Sequence, residues 1–200
     1  MSTKRLVVGV TGASGAIYAQ RFLARAVDRF DDVWLILSDQ AIQVIDTELG
    51  VTLRRDAFDP ELWLGKPAPN LHLIGSKNYF TPPASGSYVH DGMVIVPCSM
   101  GTVGRIANGI SDDLLSRAAD VCLKEKRKLV VVPREMPMHS IMLHNMARLA
   151  DAGATVLPAC PAWYTNPKTL EELADTVVAR IFQSLGLDQD IQKQWMVESE

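Results

Sequence analysis

Arg117, Lys124, Arg134 and Arg180, together with Glu48 and Glu135, are the side chains of this sequence best suited to chemistry on an anion. Arg117 and Lys124 are seven residues apart on one predicted helix, hence on one face about two turns apart. Arg134 follows an apolar run, and Arg180 sits inside Val177-Val178-Ala179-Arg180-Ile181-Phe182, where a merely solvated arginine is less expected. A bound anion would account for such cations; the plain alternative is surface arginines whose stems cover apolar neighbours. Glu135 beside Arg134 is either an ion-pair partner or a proton donor and acceptor next to a phosphate, its pKa tuned by the local field. Glu48 reads as a surface carboxylate or as a group poised over a cofactor.

A second anion site is written differently. In Val7-Val8-Gly9-Val10-Thr11-Gly12-Ala13-Ser14-Gly15 an apolar strand breaks into glycines and small hydroxyl residues, and apolar residues at helical spacing follow from Ala16 to Val27. The free N–H groups and dipole of a helix N-terminus hold a phosphate without any basic side chain. A nucleotide or flavin mononucleotide phosphate is therefore expected at Gly12, Ala13 and Ser14. The spacing is G-x-x-G-x-x-G, not the dinucleotide fingerprint G-x-G-x-x-G with an acidic residue about 20 positions on. Ser38, at the end of the next apolar run, suits a phosphate, while Asp39 keeps a nicotinamide cofactor in competition. A tight turn made only for packing is the third reading.

These residues need a frame. Val33 to Leu37 reads as a second strand and Asp39 to Glu48 as a helix that Asp39 can cap. Thr52 to Ser76, rich in proline and glycine, reads as a long excursion with a short strand at Leu71 to Ile74. Tyr79 to Ser87 is stiffened by prolines, with small residues that would let a flat ring lie close. Later apolar runs end at Pro97, Pro133 and Pro158, each taken as a strand end because proline cannot donate to a ladder. Between them lie helical patterns at Met100 to Ala107, Asp112 to Lys126, Ser140 to Ala150 and Leu170 to Leu185.

The alternation implies an α/β fold with a doubly wound, mostly parallel sheet, a flavodoxin-like or Rossmann-like three-layer sandwich. Ligands of such sheets bind beyond the carboxyl ends of the strands. There the sequence places Ser99, Met100, Gly101 and Thr102, Arg134 and Glu135, and Pro161 to Tyr164, which should converge with Ser14 and Ser38 on one rim.

Composition narrows the classes. With 200 residues, 48% hydrophobic and 22% charged, and a formal net charge of −3, neither disorder nor nucleic-acid binding is indicated. One domain is expected over 1–187, followed by a polar tail, 188–200, in which Trp195 docks on its own domain or on a neighbouring subunit. Cys98, Cys122 and Cys160 suggest neither a disulfide framework nor a zinc site. No signal-peptide pattern precedes the first strand, and no apolar run reaches the roughly 18 residues of a membrane span, so a cytoplasmic protein is expected. Asp112-Asp113 lacks the second half of a magnesium-binding D-D-x-x-D motif, and His139 and His144 miss the i, i+4 spacing of a helical metal pair. Metal-free chemistry is favoured.

Longer motifs add a family resemblance. T-G-A-S-G-A-I-Y at Thr11 to Tyr18, P-P-A-S-G-S at Pro82 to Ser87, P-C-S-M-G-T at Pro97 to Thr102, R-A-A-D-V-C-L-K-E at Arg117 to Glu125, V-P-R-E at Val132 to Glu135 and P-A-W-Y at Pro161 to Tyr164 follow the order found in UbiX-type flavin prenyltransferases. The chain resembles that family over nearly its whole length. The resemblance implies a homo-oligomer, dodecameric in the family, that joins the dimethylallyl group of dimethylallyl phosphate to N5 and C6 of reduced FMN without a metal. The product, prenylated FMN, goes to a UbiD-type decarboxylase.

By the same resemblance Gly12, Ala13, Ser14, Ser38, Ser99, Met100, Gly101, Thr102 and Arg134 would hold FMN. Lys124, Arg134, Glu135, Tyr164 and Arg180 would surround the dimethylallyl phosphate, with Trp195 covering the site. Ser14 and Glu48 would handle protons, Glu135 would protonate the leaving phosphate, and Arg117 would support flavin and phosphate. Tyr79, Lys126 and Lys128 depart from the family's pattern, which bears on the shape of the allyl pocket. Two other classes compete: an FMN-dependent decarboxylase of the cysteine decarboxylase type, which would want a catalytic histidine, and a non-catalytic flavin carrier, which would lack the Lys124, Glu135, Tyr164 and Arg180 set.

Overall fold

The computed structural model describes residues 3–192 of the chain. Among them lie the strands β1 (Arg5–Val10), β2 (Asp32–Leu37), β3 (Leu71–Ile74), β4 (Gly92–Cys98), β5 (Leu129–Pro133) and β6 (Thr155–Val156). All pair in parallel, in the order β3-β2-β1-β4-β5-β6. This is the doubly wound order 3-2-1-4-5-6, in which the five strands left when the edge strand β3 is set aside follow the flavodoxin-like order 2-1-3-4-5. Strand order reverses between β1 and β4, so a crevice opens at their carboxyl ends.

The middle of the sheet is buried on both sides because Leu6 to Val10 of β1 and all of β4 and β5 are buried at successive positions rather than at alternate ones. Leu6, Val8 and Val10 of β1 point to one core and Val7 to the other, as the two-residue strand period requires. The first core is closed by α1 (Ala16–Ala26), α2 (Asp39–Leu49), α3 (Pro60–Leu64) and α7 (Leu170–Ser184). The second is closed by α4 (Met100–Ala107), α5 (Leu114–Lys124) and α6 (Ser140–Asp151). No described helix is long and apolar enough to cross a membrane.

Several local expectations need correction. Pro97 lies inside β4, which runs on to Cys98; the register slips between Ile95 and Cys98, so no ladder bond asks for the missing N–H. β6 is shorter than the apolar run 154–157, and Pro158 lies beyond it. Ser38, not Asp39, caps α2: its hydroxyl accepts the Ala41 amide at 3.0 Å. The excursion holds α3, started by the Asp59 cap and Pro60 and stopped by left-handed Gly65. Five residues are too few for a helical period to register. The tail residue Trp195 lies outside the described residues.

Candidate active site at the carboxyl edge

The crevice begins at Thr11, which fastens β1 to β4. Its amide and hydroxyl donate to the Pro97 carbonyl at 3.2 and 3.0 Å, and its hydroxyl oxygen accepts the Ser99 amide at 2.7 Å. Pro97 therefore contributes its carbonyl to the floor of the crevice. Beyond Thr11 the loop exposes Gly12 and Ser14 and buries Ala13. Gly15 caps α1 at φ 108°, a left-handed conformation that favours glycine. Gly12 answers a different need: a Cβ there would run into the side chain of Gln40, so its missing side chain lets α2 approach the loop.

The free amides of α1 are not all available to a phosphate. The Glu48 carboxylate accepts from the Gly15 amide at 2.9 Å and from the Ala16 amide at 2.7 Å. Burial pushes the Glu48 carboxyl up, but the hydrogen bond from Ser14, the two amides and the nearby Arg134 charge outweigh it and hold it below its ordinary value. Glu48 is thus a charged cap facing Ser14, neither a plain surface carboxylate nor a neutral acid.

Ser38 and Ser99 end β2 and β4 and cap the following helices. The Ser99 hydroxyl accepts the Thr102 amide at 3.4 Å and lies 3.1 Å from the Thr102 hydroxyl. A capping hydroxyl that accepts from its own helix keeps its proton free to donate. Met100 and Thr102 turn their side chains into the protein; they can offer a ligand their backbone, and the space beside Gly101 is open. Asp39 pairs with Arg55 at 2.8 Å, its carboxylate otherwise largely exposed.

Two cations at this rim were not singled out from the sequence. Lys77 and Arg105, with Thr11, Ser38, Gln40 and Ser76, line a cavity of about 120 Å³. Arg105 donates to the Thr102 hydroxyl at 3.2 Å and pairs with Asp112 and Asp113 at 3.3 and 3.2 Å. Neither cation sits in a recognisable motif; apart from Thr102, one turn back on α4, their partners Asp112 and Asp113 lie in the segment before α5, which spacing does not reveal. Arg134 is exposed, its amide bound to the Cys98 carbonyl at 3.2 Å. Its charge reaches both Glu48 and Tyr18, whose phenol burial pushes up. Of the two readings of Glu135, the ion pair with Arg134 is not among those formed by the described residues; the Glu135 carboxylate accepts the Met136 amide at 3.0 Å.

The remaining residues do not meet on this rim within one chain. Lys124 ends α5, before β5 begins, whereas Arg134 lies beyond the far end of β5, a strand of roughly 16 Å. Arg117 donates to the Ala84 carbonyl at 3.2 Å and pairs with Asp120 at 3.3 Å. Arg180 faces solvent from α7 and donates to Gln183 at 2.7 Å. Tyr164 is exposed in the loop after β6, where Gln192 donates to its hydroxyl at 3.4 Å. The Ala162 amide fastens that loop to Thr176 of α7 at 2.9 Å. His139 caps α6, accepting the Met142 amide at 3.4 Å. No group of three metal-ligating side chains occurs among the described residues.

The chain matches known proteins over nearly its whole length. Residues 1–182 match the family model described as Flavoprotein. A flavin prenyltransferase UbiX of Alkalihalophilus pseudofirmus is 45% identical over 193 residues, 96% of each chain. The crystal structure of AnUbiX (PadA1) in complex with FMN and dimethylallyl pyrophosphate superposes with a TM-score of 0.87 at 34% identity, over 99% of this chain and 100% of that one. A dodecameric FMN-dependent UbiX-like decarboxylase from Escherichia coli O157:H7 gives 0.84 at 34% identity, over 96% and 100%. FMN-dependent and peptidyl-cysteine decarboxylases, at 16–18% identity, share the fold alone.

Proposed function

Since this chain belongs to the flavoproteins and, within them, to the UbiX flavin prenyltransferases, we propose that it transfers the dimethylallyl group of dimethylallyl phosphate to N5 and C6 of reduced FMN. The observation that carries this reading is the meeting of Ser14, Glu48, Ser38 and Ser99 at the carboxyl ends of β1, β2 and β4. Reduced flavin supplies the nucleophilic nitrogen and carbon.

The chain's own groups divide the remaining work. Ser38, the Ser99 hydroxyl, the Met100 and Gly101 amides that the contacts of Ser99 and Thr102 leave free, and the open space beside Gly101 hold the ribityl phosphate end, where the α4 dipole favours negative charge. Gly12, Ala13 and Ser14 line the ring. Glu48, charged and hydrogen-bonded to Ser14, draws a proton through the Ser14 hydroxyl from the flavin edge. Arg134, beside both ligands, and Glu135 face the donor phosphate; the arginine stabilises the charge that develops as the allylic C–O bond breaks, and Glu135 gives the departing oxygen a proton. Aromatic faces shelter the cationic allyl carbon from water.

Lys124, Tyr164 and Arg180 reach this rim from neighbouring copies, with Arg117 as a support and Trp195 as a cover. A homo-oligomer, dodecameric like the Escherichia coli relative, would do this. Phe80, Met136, Trp163 and Leu170 are each more than two-thirds exposed in the single chain, as surfaces awaiting a second copy would be. This reading takes 1–187 as one flavin-binding domain and 188–200 as a covering tail. It gives the product to a UbiD-type decarboxylase and places the protein in the cytoplasm, a reducing compartment that suits its free cysteines.

Anaerobic incubation with reduced FMN and dimethylallyl phosphate tests it. Mass spectrometry should find phosphate released and the flavin heavier by one dimethylallyl unit; unmodified flavin on folded, FMN-loaded protein overturns the reading. Glu135→Gln should slow turnover and spare FMN binding, and equal loss of both would make Glu135 structural.

A further inference from the structure

The Pro82–Ser87 segment is held against the end of α5 by its own carbonyls. Arg117 donates to the Ala84 carbonyl at 3.2 Å, while Arg127 donates to that of Gly86 at 2.5 Å and to that of Tyr88 at 2.6 Å. Alternate carbonyls are thus gripped by guanidinium groups, which fixes the backbone of Gly86 over the last turn of α5. A Cβ on Gly86 would lie 2.8 Å from Lys124 Nζ and 3.0 Å from Glu125 Cδ. Its backbone is outside the left-handed region, and the atoms such a Cβ would meet are the ends of two flexible side chains, so a larger residue here would be accommodated by displacing the Lys124 and Glu125 head groups.

Into that space fits an ion pair: Lys124 Nζ donates to Glu125 Oε1. Lysine carries a point charge on a flexible stem and does not place its charge unaided. One of the three ammonium donors is spent on Glu125, and the others remain for a ligand.

We propose that Gly86 and Glu125 are positioning residues for the ammonium of Lys124: the absent side chain of Gly86 leaves the niche in which Glu125 fixes Lys124 to receive the phosphate of the prenyl donor. This rests on the prenyltransferase reading for the identity of the donor, and on the niche itself for the geometry. The two are separable, because the niche is tested by phosphate binding as well as by turnover.

The variants are Gly86→Ala, Glu125→Gln, Lys124→Met and the double variant Gly86→Ala/Lys124→Met, in the full chain loaded with FMN. Gly86→Ala should raise KM for dimethylallyl phosphate about tenfold, the size of one misplaced charge-assisted hydrogen bond, with kcat and FMN affinity little changed. Glu125→Gln should raise it by a smaller factor. In calorimetry with inorganic phosphate the same order should hold. Adding Gly86→Ala to Lys124→Met should cost nothing more, since both act through one group.

Wild-type phosphate affinity and KM in Gly86→Ala would overturn the proposal, as would additive losses in the double variant or a parallel loss of FMN affinity. If wild-type protein leaves flavin unmodified while the phosphate-binding order holds, the prenyl-transfer reading falls and the niche stands.

Discussion

Glu48, in the last turn of α2, closes the N-terminus of α1 by accepting the amides of Gly15 and Ala16 at 2.9 and 2.7 Å. The loop between β1 and α1 thereby carries a resident carboxylate, so the charge on the first turn of α1 is already answered from within the chain. In the first turn of α4 the cap is a neutral hydroxyl, that of Ser99, which accepts the Thr102 amide at 3.4 Å.

This cap makes stability depend on pH. Glu48 in the folded chain lies below its ordinary value, so it contributes stability that is fully present above that value and is lost as pH falls through the folded one. Glu48→Gln should cost about 0.5–1 kcal/mol at neutral pH, the usual worth of a charge at a helix end. The gap between the two melting curves should close in acid, below the range in which Glu48 titrates. Thermal melts of both proteins against pH check this.

Asp175 joins α7 to α1 through Arg21, at 2.9 and 2.7 Å, and Arg25, at 2.7 Å. Removing its charge strands two guanidinium groups that remain about a quarter to a third exposed. Asp175→Asn should therefore cost about 2–3 kcal/mol, under the 3–5 of a fully buried pair. Urea unfolding with an unchanged m-value would show it.

Thiol chemistry should be selective. Cys98 and Cys122 are buried; burial pushes the Cys122 thiol up to about 12 and that of Cys98 higher still. Iodoacetamide on the native protein should leave both unlabelled, with Cys160 the reactive site of the three. All three should label in denaturant, which peptide mass mapping would reveal.

Gly9 of β1 lies against Leu115 of α5. A Cβ there would stand 2.8 Å from Leu115 Cδ1 and 3.0 Å from its Cγ. Gly9→Ala should cost about 1–3 kcal/mol by overpacking, and a second change, Leu115→Val, should recover part of it. Denaturation midpoints of the single and double variants decide the matter.

Some of this was legible in linear sequence. The run Met100 to Ala107 reads as a helix after Ser99, and the structure starts and stops α4 there, because cap and apolar spacing are both local. Asp39 was misjudged as a cap because it and Ser38 are equally good cap residues, and only the path of the chain out of β2 chooses between them. Arg105 and Lys77 gave no local sign, since the cavity they line is closed by residues of β2, α2 and α5 and of the loops that carry Thr11 and Ser76.

The sequence alone determined the parallel sheet and hence the edge at which a ligand must bind, because continuous apolar runs alternating with one-sided helices can bury themselves only in that arrangement. It also determined the family, since ordered motifs survive without knowledge of their contacts. Tertiary structure decided which charges stand together. Helical spacing puts Arg117 and Lys124 on one face of α5, but α5 runs the length of the sheet, so sharing a face leaves Lys124 at the end opposite Arg134. Glu48 was placed over Ser14 by the packing of α2 against the loop at Gly12, a contact between residues far apart in the chain that no local spacing encodes.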